Sequence, residues 1–214
     1  MPMQRGKPTG FGDLLPLIAG LDPSRRIVVA VVGAPGSGKS TLVERLADAL
    51  NHDQPGRAAV LPMDGYHYDD ALLLARGLRA RKGAPETFDA AGLAHMLERL
   101  KRNAEDEIAV PVFDRDLEIS RAGARMIARE VHVLIVEGNY LLLNSPPWSR
   151  LHGLYDLTVA IEVPEDELRR RLVARWRGYG VPEAEIAAKV EGNDLPNGRF
   201  VSANSQPADV VLSV

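Results

Sequence analysis

The most informative segment of the chain is Gly33-Ala34-Pro35-Gly36-Ser37-Gly38-Lys39-Ser40, which fits the pattern G-x-x-x-x-G-K-[ST]. In segments of this type the glycines let the backbone bend, so that successive N–H groups point inward at phosphate oxygens. The lysine ammonium then reaches the β- and γ-phosphates, and the serine hydroxyl is placed to bind Mg²⁺. We therefore predict a nucleotide-phosphate site formed by Gly33, Ala34, Pro35, Gly36, Ser37, Gly38, Lys39, Ser40 and Thr41.

The residues on either side of this segment support the prediction. Residues 26–32 form a short run of mainly β-branched apolar residues, which is the pattern of a strand buried on both faces. After the segment, apolar residues recur at helical spacing with charged residues between them; they are Leu42, Leu46, Ala49 and Leu50. A strand, a glycine-rich loop and a helix in this order make up a P-loop, or Walker A, unit.

The composition narrows the class of protein. The chain has 214 residues, of which 45% are hydrophobic and 26% are charged, as in a soluble globular domain. Its net charge of −3 argues against nucleic acid as the main partner, and the absence of cysteine excludes disulfides and thiolate chemistry. No apolar run approaches the ~18–20 residues of a membrane span, and the N-terminal segment matches a signal peptide poorly. We therefore expect a cytoplasmic domain, of the size of an enzyme, that is not inserted in a membrane.

Five apolar segments alternate with helical patterns; they are residues 27–32, 58–63, 131–136, 157–163 and 209–214. This alternation predicts an α/β fold, a three-layer sandwich in which helices cover both faces of a five-stranded parallel sheet. Right-handed crossovers and the usual P-loop pattern predict the strand order 2-3-1-4-5. Pro62 supports an edge position for the second strand. Residues 108–113 and 124–128 resemble a small hairpin over the sheet, and the Pro- and Gly-rich residues 1–10 are expected to be loose.

Two carboxylates follow predicted strands, at the edge of the sheet where ligands bind in open α/β folds. Glu137 stands after an apolar run, in the Walker B position, so it is a candidate to hold Mg²⁺ together with Ser40. Asp64 follows the second strand, and phosphoryl transfer to an alcohol needs a carboxylate that orients the acceptor hydroxyl. An Asp-Gly pair is equally typical of a turn, so the residues alone leave both interpretations of Asp64 open.

Five arginines crowd one predicted helix, namely Arg169, Arg170, Arg171, Arg175 and Arg177. Most of them are expected to form a solvated face. Arg171 and Arg175 are four residues apart and therefore share one face of the helix. The helix leads into a segment bounded by glycines, so we predict a small lid, at about residues 169–181, that brings guanidinium groups onto the transferred phosphate.

The segments around Asp64 resemble those of the bacterial type I pantothenate kinases. Met63-Asp64-Gly65-Tyr66-His67, Arg76-Gly77-Leu78 and Lys82-Gly83-Ala84-Pro85-Glu86-Thr87-Phe88-Asp89 are similar to that family's D-G-F, R-G-L and K-G-x-P-E-S-Y-D segments, at the same separations. The segment 136–143 looks most like the small uncharacterised kinases, some of them associated with fructose transport. Uridine kinases, phosphoribulokinases and glycerate kinases belong to the same superfamily.

The resemblance implies a single P-loop kinase domain over residues 1–214, with an acceptor-side insertion at about residues 65–128 and ATP and Mg²⁺ as cofactors. It implies catalytic roles for Asp64, Lys39, Arg171 and Arg175, and metal binding by Ser40 and Glu137. Its implied acceptor residues are Tyr66, His67, Lys82, Phe113, Arg115, Asn139 and Asn197. A homodimer is expected on the same basis.

The acceptor itself stays open. Pantothenate kinases carry a tyrosine–serine–histidine segment where this chain has Phe113-Asp114-Arg115, and they are clearly longer. A sugar such as fructose and a pantothenate-like compound are both compatible with the resemblance. The alternatives are a nucleoside or nucleotide kinase, because aromatic residues flank Asp64, and a transport-associated regulatory protein that hydrolyses ATP slowly.

Overall fold

The computed structural model describes residues 7, 8 and 10–213, and its centre is a parallel β-sheet. The strands are β1 (Lys7–Pro8), β2 (Ile27–Gly33), β3 (Ala58–Pro62), β4 (Glu107–Asp114), β5 (Ile119–Ala128), β6 (Val133–Gly138), β7 (Leu157–Glu162) and β8 (Val210–Ser213). Six of them form one sheet in the order β1-β8-β7-β2-β6-β3, and every pairing in it is parallel. The other two, β4 and β5, form a separate antiparallel hairpin.

The helices connect these strands. They are α1 (Phe11–Ala19), α2 (Lys39–Asn51), α3 (Asp70–Ala75), α4 (Ala90–Arg102), α5 (Glu165–Gly178), α6 (Glu183–Lys189) and α7 (Leu195–Asn204). A π-helical turn, Val190–Asp194, joins α6 to α7. Short 3₁₀ turns occur at Met63–Tyr66, Arg79–Arg81, Pro85–Thr87 and Trp148–Leu154. Among the described residues, no helix has the length and apolar character that crossing a membrane requires.

The sheet confirms the predicted α/β sandwich. The predicted strand order is incomplete, because the sheet has one more strand than predicted. The five predicted strands lie in the predicted order, with β3 at an edge, but a sixth strand, Lys7–Pro8, extends the opposite edge beside β8. The expectation of a loose N-terminus is therefore wrong for these two residues. For residues 1–6 and 9, and for the end of the last predicted strand at residue 214, the expectations fall outside the described residues.

The two faces of the sheet carry separate cores because side chains alternate along each strand. In β2, Ile27, Val29 and Val31 point to one face, whereas Val28, Ala30 and Val32 point to the other. Helices α1 and α2 cover the first face through Leu14, Ile18, Val43 and Leu46. Helix α4 and the hairpin cover the second face through Leu93, Leu97, Leu100, Ile108 and Ile127. Burial on both faces explains why β2 is apolar throughout.

Residues 165–204, from α5 to α7, form what we call the C-terminal arm. It has a small core of its own, made by Leu168, Leu172, Ile186, Val190 and Leu195. The fully buried Leu172 packs directly on the phosphate-binding loop, since a Cβ added at Gly36 would lie 3.0 Å from its Cγ. Gly198 of α7 approaches the same loop at Ala34. The first half of α5 is therefore docked on the loop.

Candidate active site

Parallel register brings the three predicted strand ends to one edge of the sheet. Glu137 of β6 lies opposite Val31 of β2 and Pro62 of β3. Strand β2 ends at Gly33, where the P-loop begins, and the 3₁₀ turn that holds Asp64 directly follows β3. The phosphate-binding loop and both carboxylates therefore meet at the carboxyl ends of adjacent strands, as ligand sites in open α/β sheets do.

A cleft of about 1120 Å³ opens at this edge. Most of the predicted site residues line it, namely Pro35, Gly36, Gly38, Lys39, Ser40, Thr41, Asp64, His67, Lys82, Phe113, Arg115, Glu137, Asn139, Arg171, Arg175 and Asn197. The structure thus collects the predicted phosphate, metal, acceptor and lid residues around a single cavity.

The P-loop adopts a backbone that only glycine takes up without strain. Gly36 and Gly38 have φ angles of +79° and +91°, and Gly38 is the N-cap of α2. The loop is closed by a hydrogen bond of 3.1 Å from the Ser37 N–H to the carbonyl of Ala34. The first residues of α2 line the cleft, so the positive end of its helix dipole lies there and favours the binding of an anion.

Lys39, which is buried, and Glu137, which is half-buried, place opposite charges near each other below the loop. Burial lowers the pKa of Lys39 and raises the pKa of Glu137, and the opposite charge of each residue counteracts the shift of the other. The Lys39 Nζ donates a hydrogen bond of 3.0 Å to the carbonyl of Ala34. The Lys39 side chain is therefore held in place before any ligand binds.

The side chains of Ser40 and Glu137 fit a Mg²⁺ ion. The Ser40 hydroxyl donates a 3.5 Å hydrogen bond to Oε1 of Glu137, so two hard oxygen ligands lie together at the mouth of the loop. No group of three or more His, Asp or Glu side chains that could hold a metal occurs among the described residues. Mg²⁺ usually retains waters and binds substrate phosphates, so two protein oxygens suffice.

Asp64 faces the cleft from the turn after β3. Its Oδ2 accepts a hydrogen bond of 2.9 Å from Nη2 of Arg115, which lies in the loop of the hairpin. No described residue donates a hydrogen bond to its other oxygen, Oδ1. One carboxylate oxygen is thus anchored while the second is available to a ligand.

The wall beyond Asp64 is made of aromatic rings and paired charges. The ring of His67 lies between those of Phe88 and Phe113, at centroid distances of 4.0 and 4.6 Å. Burial lowers the pKa of His67, which keeps the imidazole neutral at pH 7. The Nζ atom of Lys82 lies 5.4 Å from the centroid of the Phe113 ring. It donates hydrogen bonds to the carboxylate of Asp70 and to the carbonyl of Glu118.

The arginines of α5 divide into two groups. Arg169, Arg170 and Arg177 pair with Glu191, Glu167 and Glu183 and do not line the cleft, which agrees with a solvated face. Arg171 reaches the carbonyl of Ser37 at 3.4 Å, and Arg175 lies 3.7 Å from Asp194. The two arginines that share a face are those that line the cleft.

Four predicted residues do not line this cleft. Tyr66 is buried in the core under α4, and its hydroxyl lacks a hydrogen-bond partner among the described residues. The side chain of Ser37 is buried behind the loop, against Gly33. Gly33 and Ala34 line a neighbouring cleft of about 990 Å³. The structure therefore gives Tyr66 no contact with the predicted acceptor position.

The sequence analysis missed several residues that line the cleft, among them Arg79, Arg81, Glu118, Trp176, Lys189, Asn193 and Asp194. Asp194 is buried, and burial raises its pKa. It accepts a hydrogen bond of 2.6 Å from the indole N–H of Trp176. The segment Asn193–Asn197 does not reveal this contact, because the partners of Asp194 are Trp176 and Arg175, which lie in a different helix, α5.

Comparison with known proteins agrees with this geometry. A family model described as "KAP family P-loop domain" matches residues 13–175. A protein of Schizosaccharomyces pombe named "Putative uridine kinase C227.14" is 34% identical over 199 residues, which are 90% of this chain and 85% of that protein. The chain belongs to the P-loop kinase family. This confirms the family to which the 63–89 segments pointed.

Two further relatives of this P-loop kinase are informative. The crystal structure of a "putative fructose transport system kinase" from Silicibacter sp. TM1040 is 43% identical, covers 96% of this chain and 99% of its own, and superposes with a TM-score of 0.87. A pantothenate kinase of Leifsonia xyli is 32% identical over 152 residues, which are 70% of this chain and 45% of that enzyme. More than half of the pantothenate kinase thus lies outside the match.

Proposed function

We propose that this P-loop kinase transfers the γ-phosphoryl group of ATP to a hydroxyl group of a small metabolite. The observation that carries the proposal is the position of Asp64, which lines the same cleft as the P-loop and whose Oδ1 accepts no hydrogen bond from a described residue. A protein that only hydrolyses ATP needs a group that orients water. A kinase needs a carboxylate that faces an acceptor hydroxyl, beside the γ-phosphate.

The two clefts that meet at the P-loop suggest how the substrates divide. The larger cleft is lined by charged and polar side chains, and the smaller one by apolar residues such as Val32, Ile161 and Val163. The phosphate groups of ATP bound to the P-loop would lie where these two clefts meet. The apolar cleft suits the purine of ATP, and the polar cleft then remains for the acceptor.

The reaction follows from these positions. Asp64 holds the acceptor hydroxyl through Oδ1, and takes its proton as the bond from the acceptor oxygen to the γ-phosphorus forms. The bond from the γ-phosphorus to the β,γ-bridging oxygen breaks, and ADP leaves with that electron pair. Lys39, Arg171 and Arg175 stabilise the negative charge on the phosphoryl oxygens. Mg²⁺, when held by Ser40 and Glu137, supplies further charge neutralisation.

We assign the closing element to the second half of the C-terminal arm. The first half of α5 is fixed to the P-loop by Leu172, so closure over the cleft falls to the residues after Arg175. The predicted lid of residues 169–181 would therefore begin later and include α6. Its function would be to exclude water, because hydrolysis of ATP competes with transfer.

The test is the effect of Asp64→Asn on acceptor-dependent ADP release and on ATP binding. We expect the variant to bind ATP within about threefold of the wild type, and to lose about 10²–10⁴-fold in turnover. Asp53→Asn, which changes a carboxylate exposed far from the cleft, is the matched control and should behave as wild type. Full turnover by the Asp64 variant would remove this residue from the mechanism.

One observation favours a second candidate, a nucleoside or nucleotide kinase. The rings of His67, Phe88 and Phe113 form an aromatic wall near Asp64, which a base can stack against. Uridine in the same assay distinguishes this candidate from the others. ADP release that is equal with and without every acceptor would instead support the regulatory ATPase.

A further inference from the structure

We call the part of the cleft around Asp64, the 79–83 loop and the hairpin loop the acceptor half. In this half, cationic side chains and the carboxylates that pair with them are equal in number. Its four cationic side chains are Arg79, Arg81, Lys82 and Arg115. The carboxylates that pair with them are equally numerous, namely Asp70, Glu86, Glu118 and Asp64.

The pairs are specific contacts. Nε of Arg79 and Nζ of Lys82 each lie 2.7 Å from a different oxygen of Asp70. Lys82, whose side chain is only 9% exposed, also lies 3.7 Å from Glu118. Each cation is thus neutralised by the protein's own carboxylates before any acceptor arrives.

The remaining pairs repeat this arrangement. Arg81 pairs with Glu86, and Arg115 pairs with Asp64. Because Arg115 uses only Oδ2 of Asp64, the acceptor hydroxyl can occupy Oδ1 without releasing the guanidinium. The proposed chemistry therefore leaves Arg115 paired as well.

The phosphate half of the cleft is built differently. There the P-loop presents backbone N–H groups, and Arg175 has a buried Nε without a hydrogen-bond partner among the described residues. The side-chain cations of this half have partners too: Arg171 lies 2.6 Å from Glu167, Arg175 lies 3.7 Å from Asp194, and Lys189 of α6 lies over the ring of Trp176 at 4.8 Å. What distinguishes this half is the backbone of the P-loop, whose N–H groups and helix dipole can bind an anion without separating an ion pair.

The other acceptor-side groups are uncharged. The amides of Asn139, Asn193 and Asn197 line the cleft, and so do the rings of His67, Phe88 and Phe113. Amides, carboxylates and guanidinium groups together offer both donors and acceptors to hydroxyl groups. The flat faces of the rings suit the C–H surface of a carbon skeleton.

We infer that the acceptor is an uncharged polyhydroxy compound and carries neither a carboxylate nor a phosphate. The inference rests on the proposed function, which it makes more specific. An anionic group in this half would have to compete with a carboxylate for a cation, and at Lys82, whose side chain is mostly buried, the displaced carboxylate would be left without its counter-charge. Hydroxyl groups hydrogen-bond to both members of an ion pair and leave the pair intact.

The experiment compares pairs of acceptors in which one member carries an anionic group that the other lacks. The pairs are glycerol and glycerate, fructose and fructose 6-phosphate, ribulose and ribulose 5-phosphate, and pantothenol and pantothenate. In each pair that is phosphorylated, we expect kcat/KM to be at least about tenfold higher for the neutral member. A preference for the anionic member overturns this inference and leaves the kinase proposal standing. If neither a member of any pair nor uridine stimulates ADP release, the kinase proposal fails and the inference fails with it.

A charge variant tests the physical cause. Glu86→Gln removes the partner of Arg81, so the anionic acceptors should gain about three- to tenfold relative to the neutral ones. Glu105→Gln, which frees Arg99 at a pair outside the cleft, is the matched control and should leave the preference unchanged. An unchanged preference in Glu86→Gln contradicts the role that we give to charge pairing.

Discussion

At the phosphate-binding edge of the sheet, all seven residues of β2 are buried, and β6 and β7 pair with it in continuous parallel register. Helix α5 of the C-terminal arm buries only Leu168 and Leu172, and several of its arginines form ion pairs. The two regions face the same cleft. In the first region, the paired strands of the sheet fix where the functional groups lie. In the second region, their positions depend on contacts between side chains of different helices.

The difference is clearest for two cations that line this cleft, Lys39 and Arg175. Lys39 is buried at the start of α2, bonded to its own loop, with Glu137 as the opposite charge. Arg175 of α5 lies 3.7 Å from Asp194, which belongs to the π-helical turn between α6 and α7. Turns of this kind often occur at functional sites. We therefore expect Lys39 to be insensitive to changes in the arm, and Arg175 to depend on them.

The largest effect is expected for Lys39→Ala. Loss of the ammonium group should weaken ATP binding and lower turnover together, with kcat/KM for ATP reduced by at least about 100-fold. ATP affinity by calorimetry and ADP release measure the two quantities. Arg99→Ala, which removes a cation outside the cleft, should leave both near wild type. Unchanged ATP affinity in the Lys39 variant would mean that the loop binds phosphate through its backbone alone.

A smaller effect is expected for Asp194→Asn, which tests whether Asp194 positions Arg175. The amide oxygen can still accept the Trp176 indole N–H, but the charge that holds Arg175 is lost. We expect kcat to fall about tenfold and the KM for ATP to change by less than about threefold. Trp176→Phe removes the indole contact and keeps the charge, so its kcat should fall less. Equal losses in the two variants, or matching losses of thermal stability, would indicate a structural role only.

The smallest expected effect is a pH dependence of ATP affinity through Glu137. Because burial raises the pKa of Glu137, this carboxylate takes up a proton at a higher pH than an exposed glutamate does. A protonated carboxyl is a poor Mg²⁺ ligand, so ATP affinity in Mg²⁺ should weaken as the pH falls through the raised pKa of Glu137. The same titration with EDTA should be flatter, and Glu137→Gln should abolish the difference. Parallel curves with and without Mg²⁺ would contradict this role.

The phosphate-binding edge could be predicted from the sequence because its signals are local. An apolar run followed by a glycine-rich segment specifies a buried strand and a P-loop. The carboxylates Asp64 and Glu137 each follow such a run, and a parallel sheet brings the ends of its strands to one edge. No long-range contact had to be known. The structure adds that Arg115 anchors Asp64, which the spacing of 51 residues does not reveal.

The C-terminal arm was predicted less completely. Helix α7 was not expected, because its sequence contains Pro196 and Gly198, which are weak helix formers. It forms because Leu195 and Val201 are buried and because Gly198 fits closely against Ala34. Strand β1 was missed for a similar reason, since two residues show no periodicity and pair only because β8 offers a free edge.

By itself the sequence determined the α/β fold, the P-loop and the two carboxylates at the strand ends, because each depends on neighbours in the chain or on the general geometry of a parallel sheet. Only the tertiary structure decided that Tyr66 is buried away from the cleft and that Asp194 lies against Arg175. It also decided the pairing of charges around the acceptor. Contacts of this kind join residues that are distant in the chain, and their distances are set by packing and not by local pattern.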